Sequence, residues 1–223
     1  MERWHAHGNA YLVAVEPGLS PERVRTEVGD ADGIVEIIAR GPDWADVVIW
    51  NPDGSTAEMS GNATRIAAAW VGAESVRIRV GDREVRSRRT ADGQIEQELD
   101  GVEVSAAERI EGLDVIPVSV GNPHAVVVGD PDELPRIGPL LETHARFPER
   151  TNVQVARIDA PGRVTARVWE RGVGETSSSG TSAVAVAAAT QGEGETSVTF
   201  PGGTLRVTIS GGKASLTGPA ERL

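Results

Sequence analysis

Serine stands directly before glycine at the head of two runs of small apolar residues. Ser60-Gly61-Asn62 precedes Ala63–Val71, and Ser179-Gly180 precedes Thr181–Thr190. Both runs are dominated by Ala, Val and Ile, so both read as helices without a polar face, and such a helix has to be surrounded by protein. The first turn of a helix leaves backbone N–H groups unpaired and carries the positive end of the dipole. Glycine at that point lets a ligand come close to the backbone. Each junction can therefore seat a carboxylate, and two such junctions facing each other could grip the α-carboxylate of one amino acid from both sides. The plainer reading makes each serine an N-cap and nothing more; its repetition before two buried helices favours the carboxylate seat.

Much of the remaining chain reads as short strands bounded by turn residues. Examples are Tyr11–Val15, Gly33–Ile38, Asp46–Trp50 and Val76–Val80 in the first half. Val115–Val120, Ala125–Val128, Val153–Ile158 and Arg163–Trp169 continue the pattern in the second. Pro21–Val28 and Leu134–His144 read as surface helices. The 26 glycines, 13 prolines and 4% aromatics suit a turn-rich β architecture, in which a helix without a polar face belongs inside a curled sheet.

The chain also repeats itself. Gly8-Asn9-Ala10-Tyr11-Leu12-Val13 is echoed by Gly121-Asn122-Pro123-His124-Ala125-Val126, and each is followed at similar spacing by one Ser-Gly helix start. Duplication of one domain would leave this trace, with the division near Glu108–Leu113. The expected halves are residues 1–112, joined by a last strand at 214–223, and residues 113–213. Packed face to face, they would bring both helix starts to one central crevice.

The totals narrow the chemistry. A net charge of −11 argues against nucleic acid, which needs a surplus of Lys and Arg, and weakly against an anionic membrane surface. No apolar run of membrane-spanning length and no apolar signal core near Met1 are present, so a cytoplasmic protein is expected. The absence of cysteine removes thiolate chemistry, Fe–S clusters and Cys-zinc sites. Lys213, the only lysine, sits in a Gly211-Gly212-Lys213 turn, a poor place for a Schiff base to pyridoxal phosphate. His5 and His7 have no HExxH pattern around them, so no metal site is expected.

Longer motifs carry a family resemblance. Trp50-Asn51-Pro52-Asp53-Gly54-Ser55-Thr56-Ala57-Glu58-Met59-Ser60-Gly61-Asn62 is similar to the first signature of diaminopimelate epimerases. Val168-Trp169-Glu170-Arg171-Gly172-Val173-Gly174-Glu175-Thr176, followed by Ser179-Gly180-Thr181, is similar to the second. Gly121-Asn122-Pro123-His124, Arg150-Thr151-Asn152-Val153, Ala31-Asp32-Gly33 and Leu216-Thr217-Gly218-Pro219-Ala220 complete the set, in order along nearly the whole chain.

The resemblance implies an α+β fold of two pseudo-symmetric domains, each a curled, mostly antiparallel β-sheet around a central helix, assembled as a homodimer. It implies interconversion of LL- and meso-diaminopimelate without any cofactor, one thiolate removing the α-proton while an opposite thiol donates to the other face. Those two positions match Ser60 and Ser179. Asn9, Asn51, Asn122, Asn152 and Arg171 match substrate-holding positions, Arg171 being suited to the distal carboxylate. Gly61, Asn62, Gly180 and Thr181 match the groups around the α-carboxylate, and His124 and Glu170 match residues that charge and orient the catalytic pair.

The serines depart from the pattern. A thiol is readily tuned to thiolate at neutral pH, whereas a serine hydroxyl is a far weaker acid and needs an adjacent base. Three readings of the change stay open: an engineered Cys→Ser pair, a natural relative running a weak or altered reaction, and a protein kept for binding an amino acid. Ala63 and Ala10 stand where the family prefers glycine and aspartate, which favours the natural relative. A dehydratase or isomerase of another small amino acid on the same fold is the remaining alternative.

Overall fold

Strand burial alternates strictly where the sequence alternates. Trp44–Trp50 buries Ala45, Val47 and Ile49, and Ser75–Val80 buries Val76, Ile78 and Val80. Successive side chains of a strand point to opposite faces, so each strand turns one apolar face inward. The computed structural model describes residues 1–99 and 101–223, in two units: Met1–Glu98 with Thr217–Leu223, and Leu99–Leu216. The fold is α+β.

The first unit runs β1 (Glu2–Ala6), β2 (Asn9–Ala14), α1 (Pro21–Glu27), β3 (Gly33–Arg40), β4 (Trp44–Trp50), β5 (Thr56–Ala57), α2 (Gly61–Val71), β6 (Ser75–Val80), β7 (Arg83–Arg89) and β8 (Ile95–Leu99). β1 pairs antiparallel with β2, β2 parallel with β3, β3 antiparallel with β4, and β4 parallel with β6, which continues antiparallel into β7 and β8. α2 packs on β1, β2, β4, β6 and β7, and its residues Asn62–Ala69 are buried. Gly72, in the left-handed region at φ 81, ends it.

The second unit begins with β9 (Val102–Val104) and β10 (Glu108–Ile110), then repeats that order with β11 (Leu113–Val120), β12 (Pro123–Val128), α3 (Leu134–Glu142), β13 (Asn152–Ala160), β14 (Arg163–Glu170), β15 (Gly174–Thr176), α4 (Gly180–Thr190), β16 (Gly194–Phe200), β17 (Gly203–Ser210) and β18 (Lys213–Gly218). The pairings recur in kind: β11 antiparallel to β12, β12 parallel to β13, β13 antiparallel to β14, β14 parallel to β16, β16 antiparallel to β17. Even the register shift returns, between Ile37 and Ala39 in β3 and between Ile158 and Ala160 in β13. α4 touches β9, β11–β14, β16 and β17. Ala183, Val184, Ala185, Val186 and Ala187 are each 0% exposed, so this stretch of helix is covered all round. That enclosure explains the composition, since side chains larger than Ala and Val would overpack it.

The short strands β9 and β10 both pair with β11, and this pairing groups them with the second unit; the sequence put the division further on, near residue 112. β1, with its mixed Glu2-Arg3-Trp4-His5-Ala6, shows no period-two pattern and went unmarked. Its place comes from pairing with β2 and with β19 (Glu221–Arg222).

Gly33 fixes a close approach in the first unit. A Cβ there would lie 2.4 Å from the Trp50 carbonyl oxygen and 2.8 Å from Cε1 of Tyr11. The carbonyl belongs to the β3–β4 ladder and cannot give way. Gly33→Ala should therefore lower stability by about 1–3 kcal/mol, read as a lower urea midpoint with an unchanged m-value.

Candidate functional site

Ser60 and Ser179 occupy the same position in the two units. Each precedes an eleven-residue helix in extended backbone, φ −145 and ψ 119 for Ser60, φ −148 and ψ 129 for Ser179. Their carbonyls accept the first intrahelical bonds, from Thr64 N and Ala183 N. The N–H groups of Gly61 and Asn62 on α2, and of Gly180 and Thr181 on α4, belong to the first turns, whose donors have no acceptor within the helix. An anion is favoured at both places.

Around α2, Ser60 Oγ accepts from Ala63 N at 3.3 Å and lies 3.3 Å from the Tyr11 hydroxyl, which comes across from β2. Asn9 opens β2 after Gly8, whose φ of 83 turns the chain out of β1. Asn62 Nδ2 donates to Asn9 Oδ1, and Arg65 Nη2 donates to Asn62 Oδ1. Arg65 is 0% exposed. Its Nε and Nη1 find no acceptor among the described residues. Burial pulls it down to about 10, so it is still cationic at neutral pH. A buried arginine with no carboxylate beside it is costly; here it fixes the amide of Asn62 and adds positive charge below the helix start. Asn51 directly follows β4, where its backbone N–H donates to Ser55 O at 2.8 Å and its Nδ2 donates to Ser55 Oγ at 2.9 Å.

Around α4 the neighbours differ. Ser179 is 8% exposed and makes no cap bond to its own helix; its hydroxyl instead lies near enough to the carboxyl of Glu170 to favour its charged form. Glu170 ends β14 and also accepts from Thr176 Oγ1 at 2.5 Å. Burial raises its pKa, and the bonds from Thr176 and Ser179 offset this only in part. His124, 1% exposed on β12, is pushed down to about 3, chiefly by burial. Gln154 Nε2 contacts its Nδ1 at 3.0 Å and donates to Ser182 Oγ at 2.9 Å. With Gln154 donating to Nδ1, the neutral ring carries its proton on Nε2 and donates to Asn122 Oδ1 at 2.9 Å. That bond turns the Asn122 amide so that its NH₂ group faces away from the ring. Asn152 clamps the segment: its Nδ2 donates to Pro123 O at 3.0 Å and its Oδ1 accepts from Arg171 N at 3.0 Å. The exposed Arg171 side chain is steadied by Nη1 donating to Glu149 O at 3.1 Å.

Within the first unit, then, Asn9, Ser60, Gly61 and Asn62 come together, with Asn51 at the end of the neighbouring strand. Within the second, Asn122, His124, Asn152, Glu170, Arg171, Ser179, Gly180 and Thr181 lie on or directly beside β12, β13, β14 and the start of α4. Sequence reasoning missed Tyr11, Arg65 and Gln154. Arg65 carried a usable signal: a lone charge in a helix without a polar face has to be inside.

Among the described residues no group of His, Cys, Asp and Glu could hold a metal ion, and no helix is long and apolar enough to cross a membrane.

The family model described as diaminopimelate epimerase matches residues 116–223. A diaminopimelate epimerase from Desulforudis audaxviator (strain MP104C) is 34% identical over 274 aligned positions, covering 99% of this chain and 96% of that protein. The alignment is longer than the chain itself, so that relative carries segments absent here. A diaminopimelate epimerase from Xylella fastidiosa (strain M23) is 38% identical over 205 positions, covering 78% of this chain and 72% of its own. Among solved structures, a phenazine biosynthesis protein of the PhzF family from Bacillus anthracis superposes with a TM-score of 0.76 at 14% identity, over 100% of this chain and 96% of that one; at that identity the likeness concerns the fold. On the strength of the near full-length match, this chain belongs to the diaminopimelate epimerase family and is an isomerase of the epimerase class.

Proposed function

We propose that this protein interconverts LL- and meso-diaminopimelate without a cofactor, by moving a proton between the two faces of Cα. The observation that supports it most is the recurrence, once in each unit, of an extended serine opening a buried helix whose first-turn N–H donors have no acceptor within the helix. An amino-acid α-proton is weakly acidic, and N–H groups aimed at the carboxylate stabilise the charge that develops as it leaves. In this reading Gly61, Asn62, Gly180 and Thr181 hold the α-carboxylate. Ser60 and Ser179 serve opposite faces of Cα, Glu170 exchanges a proton with Ser179, and His124 holds Asn122 in its donating orientation. Asn9, Asn51, Asn122 and Asn152 hold the polar ends, with Arg171 as the bidentate partner of the distal carboxylate. The working form is a cytoplasmic homodimer, as the family resemblance implies.

The test is α-proton exchange of diaminopimelate in D₂O, followed by NMR over a day with purified protein. Exchange above a protein-free control, lost in both Ser60→Ala and Ser179→Ala, is the expected outcome. Absence of exchange, together with tight binding by calorimetry, would leave a binding protein in place of an epimerase. Exchange indifferent to both substitutions would sink the assigned roles.

A further inference from the structure

We infer that Tyr11 is the proton acceptor behind Ser60, its phenolate held by the buried guanidinium of Arg65; this rests on the proposed epimerase reading. A serine that removes an α-proton has to pass its own proton on, and it needs a base at hydrogen-bond distance. On the α4 side Ser179 has Glu170. On the α2 side the group in contact with Ser60 Oγ from outside its own helix is the Tyr11 hydroxyl, at 3.3 Å. A phenol, ordinarily near pKa 10, is a far better proton store than an alcohol.

The repeat sharpens the assignment. Tyr11 pairs with Gly33 across the parallel β2–β3 ladder as His124 pairs with Asn152 across β12–β13. The fold thus sets a titratable ring at the same point of each unit, next to the start of the central helix. In the second unit that ring is neutral and spent on Asn122 and Gln154. In the first it reaches the serine, and the fully buried Arg65, whose Nε and Nη1 find no acceptor among the described residues, is joined through Asn62 to Asn9 on the same strand. Asn9 and Tyr11, two residues apart on β2, share the face that the Arg65–Asn62–Asn9 chain reaches, and the Tyr11 phenol favours the charged form of Arg65. Other charged or titratable groups on the strands beside β2 are engaged elsewhere: Glu36 accepts from Gly18 N, Leu19 N and Trp50 Nε1, Asp32 from Ala10 N, His5 Nε2 from Gly8 N, and Arg3 pairs with Asp30.

The step balances. As Ser60 Oγ takes the α-proton, its own proton passes to the Tyr11 phenolate; the Cα–H bond breaks, the phenol O–H forms, and the electron pair stays on Cα. On the opposite face Ser179 gives its proton to Cα and is refilled from the carboxyl of Glu170. Turnover in the reverse direction resets both groups, and before a second turnover in the same direction Tyr11 loses its proton to water and Glu170 regains one from it.

Two measurements decide it. First, Tyr11→Phe should slow exchange roughly 100-fold while residue 60 is serine, and less than about threefold after Ser60→Cys, because a thiol ionises without that base. An equal loss in both backgrounds would reduce Tyr11 to a packing role. The rate of the unaltered protein should also rise with pH, and Tyr11→Phe should flatten that rise. Second, Tyr11 is the only tyrosine, so ultraviolet difference titration reads it alone. Arg65→Met should move its midpoint up by at least about one pH unit, while Arg65→Lys, which keeps the charge, holds it. A midpoint indifferent to Arg65→Met would overturn the pairing. The titration needs no turnover, so it separates failure of this inference from failure of the epimerase reading.

Discussion

Replacing both Ser60 and Ser179 by cysteine should accelerate α-proton exchange of diaminopimelate by on the order of 10² to 10⁴. The backbone at both positions already has the same extended conformation, with φ within a few degrees of −145, so sulfur would be delivered in equivalent places on the two helices. What changes is acidity: a thiol near pKa 8.5 beside a helix N-terminus is partly thiolate at neutral pH, and a serine hydroxyl is not. The single variants carry the sharper information. Ser60→Cys should speed exchange of the isomer whose α-proton faces Ser60, and Ser179→Cys that of the other, with little gain in inversion from either alone. The stability costs should also differ. Ser60 accepts from Ala63 N and Ser179 caps nothing, so Ser60→Cys should cost about 1 kcal/mol and Ser179→Cys less. A double variant no faster than the parent would mean that these two positions do not move the proton.

The two helix starts were legible because small apolar runs without a polar face, each headed by Ser-Gly, occur twice in the same order. The strands around them were legible wherever burial alternates, as in β4 and β6. What escaped has a physical reason in each case. Glu2–Ala6 forms β1 although its residues are half-buried without alternation, because it is pinned by pairing on both sides. Tyr11 sits in a strand whose pattern marks it only as one more large side chain. Its meeting with Ser60 depends on how β2 lies against α2, which no local pattern encodes. Gln154 reads as a polar interruption of Val153–Val155, yet it is 0% exposed and orders His124 and Ser182 together. Motifs marked Asn152 as a substrate ligand. The geometry shows its amide tying Pro123 to Arg171.

Acid should unfold this protein through His124 well before its exposed carboxylates titrate. The ring is held neutral down to about pH 3 by burial, whereas in the unfolded chain it protonates near 6.5. Below about pH 6.5 the unfolded state therefore binds a proton that the folded state refuses. Stability falls as pH falls, by roughly 3 kcal/mol at pH 4 from this residue alone. Glu142 adds to the loss at lower pH. Burial alone would raise it, but the Gly172 N–H, the Trp169 indole and Arg150 outweigh burial and hold it below its usual value, so its contribution disappears as it protonates. Glu170 has the opposite sign: its raised pKa favours the folded state as pH drops through that value. It therefore opposes the slope that His124 sets. Urea midpoints at pH 7 and pH 4 should thus diverge strongly in the parent and much less in His124→Gln, which keeps a hydrogen-bonding side chain but cannot titrate. The same substitution should cost about 1–3 kcal/mol at pH 7, where the neutral ring joins Gln154 to Asn122. An equal pH slope in parent and variant would mean that His124 is free to protonate in the folded state. A protonated ring would turn an N–H donor toward the Gln154 amide donor and break the chain that orients Asn122. In that case alone would acid weaken substrate binding at pH values where the fold is still intact.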